Sequence, residues 1–225
     1  MQDNTRQSLR LSPSDARRFL VTHAKSLVAG NQRVALGIAG GPGVGKSTLA
    51  VELVEALNRE APGLAAYVPM DGFHMRHAKL EALGTAHEKG MPHTFEGAAF
   101  ADFLARLKAA QGPVSGPGYS RKIEDVVEDA FEVGAGVRLL VVEGNYLLLP
   151  TAPWSRIKPL LASSVFIDVP REKVRERLLR RHAAEGLFSA KRNLEHVERV
   201  DLANYDLVKR SRPRADIAID LITES

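Results

Sequence analysis

The chain has 225 residues, of which 44% are hydrophobic and 26% are charged, and its formal net charge is +4. The length suits one α/β domain, and the modest charge speaks against a nucleic-acid-binding protein. The sequence has no cysteine, no apolar run long enough to cross a membrane and a polar start without a signal-peptide core. We therefore expect a cytoplasmic protein without disulfides or membrane contact, and both a monomer and a homodimer are left open.

The first predicted element is a helix that begins after Ser12, its expected N-cap, and ends before Gly30. Five short apolar runs follow, and long polar or helical stretches separate them. Such runs are typical of parallel strands that are covered on both faces. The predicted strands span residues 34–39, 66–70, 139–142, 164–168 and 217–222, and the predicted helices span residues 46–59, 95–110, 171–184 and 191–208.

This alternation predicts an α/β fold, a doubly wound three-layer sandwich with five parallel strands and helices on both faces. Ligands of such doubly wound sheets collect at the carboxyl ends of the strands. Functional residues are therefore expected directly after each apolar run, where they would converge on one edge of the sheet.

A glycine-rich loop follows the first predicted strand and fits the pattern of a glycine, four residues and Gly-Lys-Ser. Its glycines would let backbone N–H groups point at phosphate oxygens, next to the positive end of the following helix. Lys46 would bridge the β- and γ-phosphates of ATP, and the Ser47 hydroxyl would bind Mg²⁺. The alternative is a strand-to-helix turn without a ligand. The predicted nucleotide-binding residues of the loop are Gly40, Gly41, Pro42, Gly43, Val44, Gly45, Lys46, Ser47 and Thr48.

Two other predicted strands end in carboxylates. Glu143 follows strand 139–142 in the Walker-B manner and would hold Mg²⁺, the alternative being that it caps the next turn. Asp71 follows strand 66–70 and is the candidate general base, because a hydroxyl nucleophile needs a group that accepts its proton. The alternative roles for Asp71 are a turn residue or an indirect partner of Mg²⁺.

Basic side chains follow two of the predicted strands. Arg177 and Arg181 share one face of an arginine-rich helix and would stabilise the charge that develops on the transferred phosphoryl group. The looser stretch 182–189 would let this segment open and close, and the alternative is a solvated basic helix face. His74 is a candidate substrate-binding residue, whereas the His74–His77 spacing lacks a third ligand for a metal site.

Five segments in this order resemble the phosphoribulokinase, uridine kinase and bacterial pantothenate kinase superfamily. They are the glycine-rich loop, Met70-Asp71-Gly72-Phe73-His74, Lys89-Gly90-Met91-Pro92-His93-Thr94-Phe95, Pro117-Gly118-Tyr119-Ser120-Arg121 and Glu143-Gly144-Asn145-Tyr146. The likeness is greatest to short bacterial members labelled fructose-transport-system kinases or nucleoside-triphosphate hydrolases, and it covers residues 33–222. The resemblance implies an ATP- and Mg²⁺-dependent kinase whose P-loop strand lies beside the strand that ends in Glu143.

The resemblance also implies roles for segments and single residues of one kinase domain over residues 1–225. Asp71 would activate the acceptor hydroxyl, residues 72–125 would form an insertion around the acceptor, and residues 171–190 would form a lid. Arg214 precedes the last strand, where such kinases seat the adenine. The residues implied in acceptor binding are Phe73, His74, Lys89, Tyr119, Arg121, Asn145 and Asn204.

The expected activity is transfer of the γ-phosphoryl group of ATP to a hydroxyl of a small metabolite, with a sugar such as fructose as the leading acceptor. Arg121 stands where pantothenate kinases carry a histidine, and Gly72 and His74 depart from the Asp-Ser-Phe-Tyr segment of uridine kinases. Pantothenate and nucleosides stay as alternatives, as does a nucleotide-dependent ATPase that is not a kinase. The sequence contains neither the guanine motif Asn-Lys-x-Asp nor a transporter signature such as Leu-Ser-Gly-Gly-Gln.

Overall fold

The computed structural model describes residues 7–28, 30, 32–186 and 189–222, and a parallel sheet forms the centre of this part of the chain. The strands are β1 (Gln7–Leu11), β2 (Val34–Ala39), β3 (Ala65–Pro69), β4 (Val114–Ser120), β5 (Asp125–Val133), β6 (Leu139–Gly144), β7 (Ser163–Asp168) and β8 (Ile217–Leu221). The sheet has the order β1-β8-β7-β2-β6-β3, and its neighbouring strands are all parallel. β4 and β5 form a separate antiparallel hairpin.

The five strands expected from the apolar runs are all present, with small shifts at their ends. β2 lies beside β6, so that Ile38 pairs with Glu143, as the family resemblance implies. Side chains of β2 alternate between the two faces of the sheet. Ala35 and Ala39 contribute to one hydrophobic core, and Leu36 and Ile38 contribute to the other. The sheet is therefore buried on both faces, which explains the nearly continuous apolar runs.

A sixth parallel strand, β1, is not predicted from the sequence, where the start of the chain is polar. It pairs along β8, with Gln7 opposite Ile217 and Leu11 opposite Leu221. All of its side chains are exposed or half-buried, as suits a strand at the edge of the sheet. The predicted five-stranded sheet is thus corrected to six strands within the residues described.

Helices cover both faces of the sheet. They are α1 (Pro13–Leu27), α2 (Lys46–Glu60), α3 (His77–Ala82), α4 (Gly97–Ala109), α5 (Arg171–Glu185), α6 (Ala190–His196) and α7 (Leu202–Lys209). α1, α2 and α5 pack on one face through residues such as Leu20, Leu53 and Leu178. α4 packs on the other face through Phe100 and Leu104. This arrangement confirms the predicted three-layer α/β fold.

The last predicted helix, residues 191–208, contains a change of winding. A π-helical segment, Val197–Asp201, joins α6 to α7, and its hydrogen bonds run between residues five apart. Val197, Val200 and Leu202 are buried, so apolar residues continue through the segment and the sequence gives no sign of it. The π segment changes which side chains share a face of the helix.

The predicted lid begins with α5, which ends at Gly186, where φ is 66°. The sequence predicts looser structure over residues 182–189, but residues 182–185 belong to the helix. Residues 187 and 188 of the predicted lid lie outside the described residues. The predicted insertion, residues 72–125, contains α3, α4 and β4, the first strand of the hairpin. The hairpin is not predicted from the sequence.

Candidate active site

The predicted phosphate loop connects β2 to α2 at the carboxyl edge of the sheet. Its backbone has positive φ at Gly43 (74°) and Gly45 (97°), where glycine is favoured. Close packing excludes side chains as well: a Cβ atom at Gly41 would lie 2.7 Å from the Tyr205 ring, and one at Gly43 would lie 2.9 Å from Leu178. The backbone therefore favours glycine at Gly43 and Gly45, and close packing disfavours a side chain at Gly41 and Gly43.

Lys46 and Glu143 form a buried ion pair on the floor of the cleft next to this loop. Lys46 Nζ lies 3.4 Å from Glu143 Oε1, and both side chains are less than one tenth exposed. The ammonium also donates hydrogen bonds to the Gly41 carbonyl oxygen at 3.0 Å and to Asn145 Oδ1 at 2.8 Å. Asn145 is thereby placed beside the predicted phosphate site.

The Glu143 carboxylate accepts hydrogen bonds from the Ser47 hydroxyl at 3.2 Å and from the Tyr67 hydroxyl at 2.8 Å. Burial raises the pKa of Glu143, and Lys46 opposes this shift. A carboxylate and a hydroxyl in contact supply the oxygen ligands that Mg²⁺ prefers, so Ser47 and Glu143 fit the predicted magnesium site. The sequence analysis above does not identify Tyr67, although its place on the strand next to β6 is a usable signal.

Asp71 lies in the 3₁₀ turn Met70–Phe73 after β3 and lines the same cleft. The side chain is half-buried. His74 bonds to the Asp71 carbonyl oxygen, whereas the Asp71 carboxylate has no hydrogen-bond partner within the described residues. Its negative charge adds to the raised pKa of Glu143, so the two carboxylates are close enough to interact. Asp71 is thus placed to receive a proton from an incoming group.

Phe73, in contrast, turns away from the cleft. Residues three apart coincide on a 3₁₀ helix, so Met70 and Phe73 both point into the protein. The ring of Phe73 lies 5.0 Å from that of Phe100 and 5.2 Å from that of Phe103, measured between centroids. The expectation that Phe73 contacts the acceptor is therefore corrected, because its ring belongs to the hydrophobic core.

His74 is held in an aromatic stack, with its ring centroid 3.8 Å from that of Phe95 and 4.6 Å from that of Tyr119. Nδ1 lies 2.8 Å from the Asp71 carbonyl oxygen, which can only accept, so Nδ1 carries a proton. Burial lowers the pKa of His74, which keeps the imidazole neutral near pH 7. Nε2 is consequently an acceptor for a hydroxyl group in the cleft.

Two cationic side chains, Lys89 and Arg121, lie on the same side of the cleft as this stack. Lys89 Nζ lies 5.2 Å from the centre of the Tyr119 ring and donates to the Glu124 carbonyl oxygen, and burial lowers the pKa of Lys89. Arg121 lies 3.3 Å from Glu185, which connects the hairpin to the last turn of α5. Both cations would attract a negatively charged group on an acceptor.

Arg177, Arg181 and Asn204 approach the cleft from the last helices. Arg177 Nη1 lies 3.4 Å from the Val44 carbonyl oxygen of the phosphate loop. Asn204 Nδ2 donates to the Gly90 carbonyl oxygen at 2.9 Å. Arg181 Nε and Asn204 Oδ1 are buried and have no hydrogen-bond partner among the residues described. Buried polar atoms of this kind are normally satisfied, so a bound ligand is a natural partner for them.

These groups share one cleft of about 700 Å³. The predicted site residues that line it are Pro42, Gly43, Gly45, Lys46, Ser47, Thr48, Asp71, His74, Lys89, Tyr119, Arg121, Glu143, Asn145, Arg177, Arg181 and Asn204. Gly40, Gly41 and Val44 belong to the loop, but Val44 turns its side chain into the core. His182 also lines the cleft and is not predicted from the sequence, because α5 is polar along most of its length.

Arg214 is not brought to the cleft. It is exposed in the turn Arg212–Arg214 before β8 and is not among the residues that line the cleft. Arg212 turns back toward the sheet instead and lies 2.8 Å from Asp168 and 2.7 Å from Asp220. Arg214 therefore does not line this cleft, and its expected contact with adenine stays a prediction.

Several known proteins that are similar to the chain are kinases by name, although no family model matches it. A Schizosaccharomyces pombe protein provisionally named uridine kinase is 32% identical over 207 residues, which cover 89% of this chain and 88% of that protein. A pantothenate kinase from Latilactobacillus sakei is 34% identical over 135 residues, which cover 59% of this chain and 44% of that enzyme. The crystal structure of a Silicibacter protein provisionally described as a fructose transport system kinase is similar with a TM-score of 0.82 and 31% identity, over 90% of this chain and 98% of that one.

The likeness extends over most of the chain and agrees with the geometry of the cleft, in which a glycine-rich loop, a buried lysine and a strand-end carboxylate meet. None of the helices in the part of the chain described is long and apolar enough to cross a membrane. The chain therefore belongs to the phosphoribulokinase, uridine kinase and pantothenate kinase superfamily of P-loop kinases, and it is an ATP-dependent phosphotransferase with an alcohol group as acceptor.

Proposed function

We propose that this enzyme transfers the γ-phosphoryl group of ATP to a hydroxyl group of a sugar such as fructose. One observation carries the proposal: the Asp71 carboxylate, which has no hydrogen-bond partner within the described residues, lines the same cleft as Lys46. Asp71 would accept the proton of the acceptor hydroxyl as the new P–O bond forms. The neutral His74 would orient a neighbouring hydroxyl through Nε2, which suits a polyhydroxylated acceptor.

The phosphate side of the cleft would hold the donor. The amides of the loop and Lys46 would bind the β- and γ-phosphates, and Ser47 and Glu143 would hold Mg²⁺. The ion, when bound, neutralises charge on the phosphate oxygens. Arg177 and Arg181 would stabilise the charge of the transferred group, so the protein contributes mainly position and electrostatics.

The proposed organisation follows from these roles. We assign residues 1–225 to one cytoplasmic kinase domain, residues 72–125 to the acceptor-binding insertion and residues 171–190 to a lid. The insertion supplies His74, Lys89, Tyr119 and Arg121, while the lid supplies Arg177 and Arg181. No nucleic acid or membrane partner is proposed, and both a monomer and a homodimer fit this organisation.

A second candidate acceptor is a hydroxy acid such as pantothenate. Lys89 and Arg121 favour it, because both cations lie beside the His74 stack and would attract a carboxylate of the acceptor. The pantothenate kinases among the similar proteins agree with this candidate. Nucleosides and plain ATP hydrolysis are further alternatives that the same experiment separates.

The test is a coupled assay of ADP release with Mg²⁺, ATP and a panel of neutral sugars, polyols, sugar acids, pantothenate and nucleosides. Mass spectrometry of the products then shows whether phosphate has moved to the acceptor or to water. We expect phosphorylation of a sugar, with a rate far above that without acceptor. A wild-type enzyme that releases ADP equally fast with every acceptor and with none would contradict the kinase proposal, and selective turnover of a hydroxy acid would replace the sugar.

A further inference from the structure

Two histidines and an aspartate meet at the junction of the lid helix and the last helices. His182 lies in the last turn of α5, His196 ends α6, and Asp201 ends the π segment. Their potential ligand atoms all lie within 4.8 Å of one another, and His182 Nε2 is 2.8 Å from Asp201 Oδ2. The two imidazole rings are 5.5 Å apart between centroids and nearly perpendicular. We name these three residues the histidine–aspartate cluster.

The π segment makes this arrangement possible. His196 and Asp201 are five residues apart, and in an α-helix that spacing would turn their side chains about 140° away from each other. Hydrogen bonds between residues five apart bring such positions onto one side of the helix instead. The local winding of Val197–Asp201 therefore has a direct consequence, namely that two ligand-type side chains face His182 together.

The chemistry of the cluster is that of a transition-metal site. Two imidazoles and one carboxylate are a common ligand set for Zn²⁺ sites that keep one position open. Asp201 is a buried carboxylate, and burial of a charge is costly unless it is compensated. Glu185 lies 3.4 Å from His182 Nδ1, which is the carboxylate–histidine pairing that orients a metal-binding imidazole so that Nε2 faces the ion.

We propose that His182, His196 and Asp201 bind a divalent transition-metal ion such as Zn²⁺. All three line the main cleft, so the open coordination position would face a ligand there. The site shares no residue with the proposed magnesium site, whose hydroxyl and carboxylate oxygens suit a hard cation rather than one that prefers imidazole. Because one ligand comes from α5 and two come from the following helical run, the ion would fasten the lid to the helix that carries Asn204.

The test uses untagged protein that has been freed of metal by dialysis against a chelator. Calorimetry with Zn²⁺ should show one bound equivalent, and Co²⁺ should give the visible absorption of a nitrogen- and oxygen-ligated site. His196→Gln and Asp201→Asn should each weaken Zn²⁺ binding at least about tenfold, and Glu185→Gln should weaken it by about 10- to 100-fold. Mg²⁺ should not compete at equal concentration.

His77→Gln is the matched control, because His77 also lines the cleft but lies on α3 and should leave Zn²⁺ affinity unchanged. Circular dichroism checks that each variant folds. If only one of His196→Gln and Asp201→Asn folds, the Zn²⁺ affinity of that variant decides the test. The proposal is overturned if wild-type protein binds neither ion, or if both cluster variants bind Zn²⁺ as tightly as the wild type. A loss with His77→Gln equal to that of the cluster variants would place the ion elsewhere and would also overturn it.

Discussion

Asp71 follows β3 and Glu143 lies near the end of the neighbouring strand β6, but their surroundings give them different chemistry. Glu143 is bound by a lysine and two hydroxyl groups, so its oxygens are already organised for a cation. The Asp71 carboxylate has no such partners within the residues described, and it is more exposed. At the scale of single residues, this contrast supports the proposal that Asp71 accepts the proton and that Glu143 holds the metal ion.

Asp71→Asn tests this assignment. The amide keeps the shape of the side chain but cannot accept a proton, so we expect turnover to fall by roughly 10²–10⁴-fold while ATP affinity stays nearly unchanged. Steady-state kinetics with the acceptor found in the panel, together with calorimetry of a non-hydrolysable ATP analogue, measures both quantities. Asp102→Asn, on the exposed side of α4, is the control that should change neither. If ATP affinity fell while the residual rate held up, Asp71 would belong to the metal site.

Lys46→Ala should impair both nucleotide binding and turnover. The ammonium would contact phosphate oxygens in the ground state and in the transition state, and a charged hydrogen bond contributes about 1.5–3 kcal/mol. We therefore expect ATP-analogue affinity to fall roughly 10- to 100-fold in calorimetry, with a lower turnover rate as well. Lys79→Ala, which removes an exposed lysine paired with Glu96, should leave affinity unchanged. Equal affinities for the wild type and Lys46→Ala would remove the phosphate-binding role.

Between elements, the phosphate loop and the lid helix α5 are in direct contact. Gly43 has a left-handed φ of 74°, and a Cβ atom there would approach Leu178 of α5 to 2.9 Å. Arg177 of the same helix reaches the loop carbonyl of Val44. We therefore expect a side chain added at Gly43 to push on the helix that carries the arginines of the proposed lid.

Gly43→Ala should weaken nucleotide binding, because it strains the loop and pushes on α5. Its matched control is Gly84→Ala: Gly84 has a similar φ of 70° but no atom within contact distance of the added Cβ. Both variants should lose stability from backbone strain, about 1–3 kcal/mol each, measured by urea unfolding. In calorimetry, only Gly43→Ala should lose affinity for the ATP analogue. A similar loss of affinity for Gly84→Ala would contradict the proposed contact.

The elements that could be predicted from the sequence are those whose signal is continuous along the chain. The five buried strands appear as apolar runs, and the phosphate loop appears as one motif. β1 is missed because an edge strand with polar side chains has no apolar run, and the hairpin is missed for the same reason. The π segment Val197–Asp201 is missed because the apolar spacing continues through it.

Most residues that line the cleft could be predicted from motifs and from their place after a strand, but the direction of single side chains and the contacts between segments could not. Phe73 was expected in the cleft, but the winding of a 3₁₀ turn places it in the core beside Phe100. Tyr67 reaches Glu143 from the neighbouring strand, a contact that exists only after the sheet has formed. Contacts between distant segments depend on packing, which the order of residues does not display.

In the whole molecule, the two ends of the parallel strands have different roles. The carboxyl edge holds the cleft, whereas at the opposite edge Asp216 joins the start of β7 to the start of β8. Its carboxylate accepts hydrogen bonds from the Ser164 backbone and hydroxyl groups, both at 2.8 Å, and from Lys158. Burial alone would raise the pKa of Asp216, but the donors of Lys158 and Ser164 outweigh it, and the pKa is lowered.

This lowered pKa predicts a pH-dependent contribution to stability. A carboxyl group whose pKa is lower in the folded chain stabilises the fold above its unfolded pKa, about 4, and this contribution is lost as the pH falls through the folded pKa. Asp216→Asn should therefore lower the urea midpoint at pH 7, and the difference from wild type should shrink below about pH 4. Asp129→Asn, on the exposed hairpin, is the control, and its difference in urea midpoint from wild type should not show this dependence on pH. A difference that is constant between pH 7 and pH 3 would contradict the account.

The central claim is that the cleft binds a nucleoside triphosphate through the loop at Lys46, so that the γ-phosphate faces Asp71. Its most direct test is a crystal structure with Mg²⁺ and a non-hydrolysable ATP analogue. We predict that the β- and γ-phosphates contact the loop amides and Lys46, with the ion next to Ser47 and Glu143 and the γ-phosphate facing Asp71. A nucleotide bound elsewhere, or phosphates that point away from Asp71, would contradict the account.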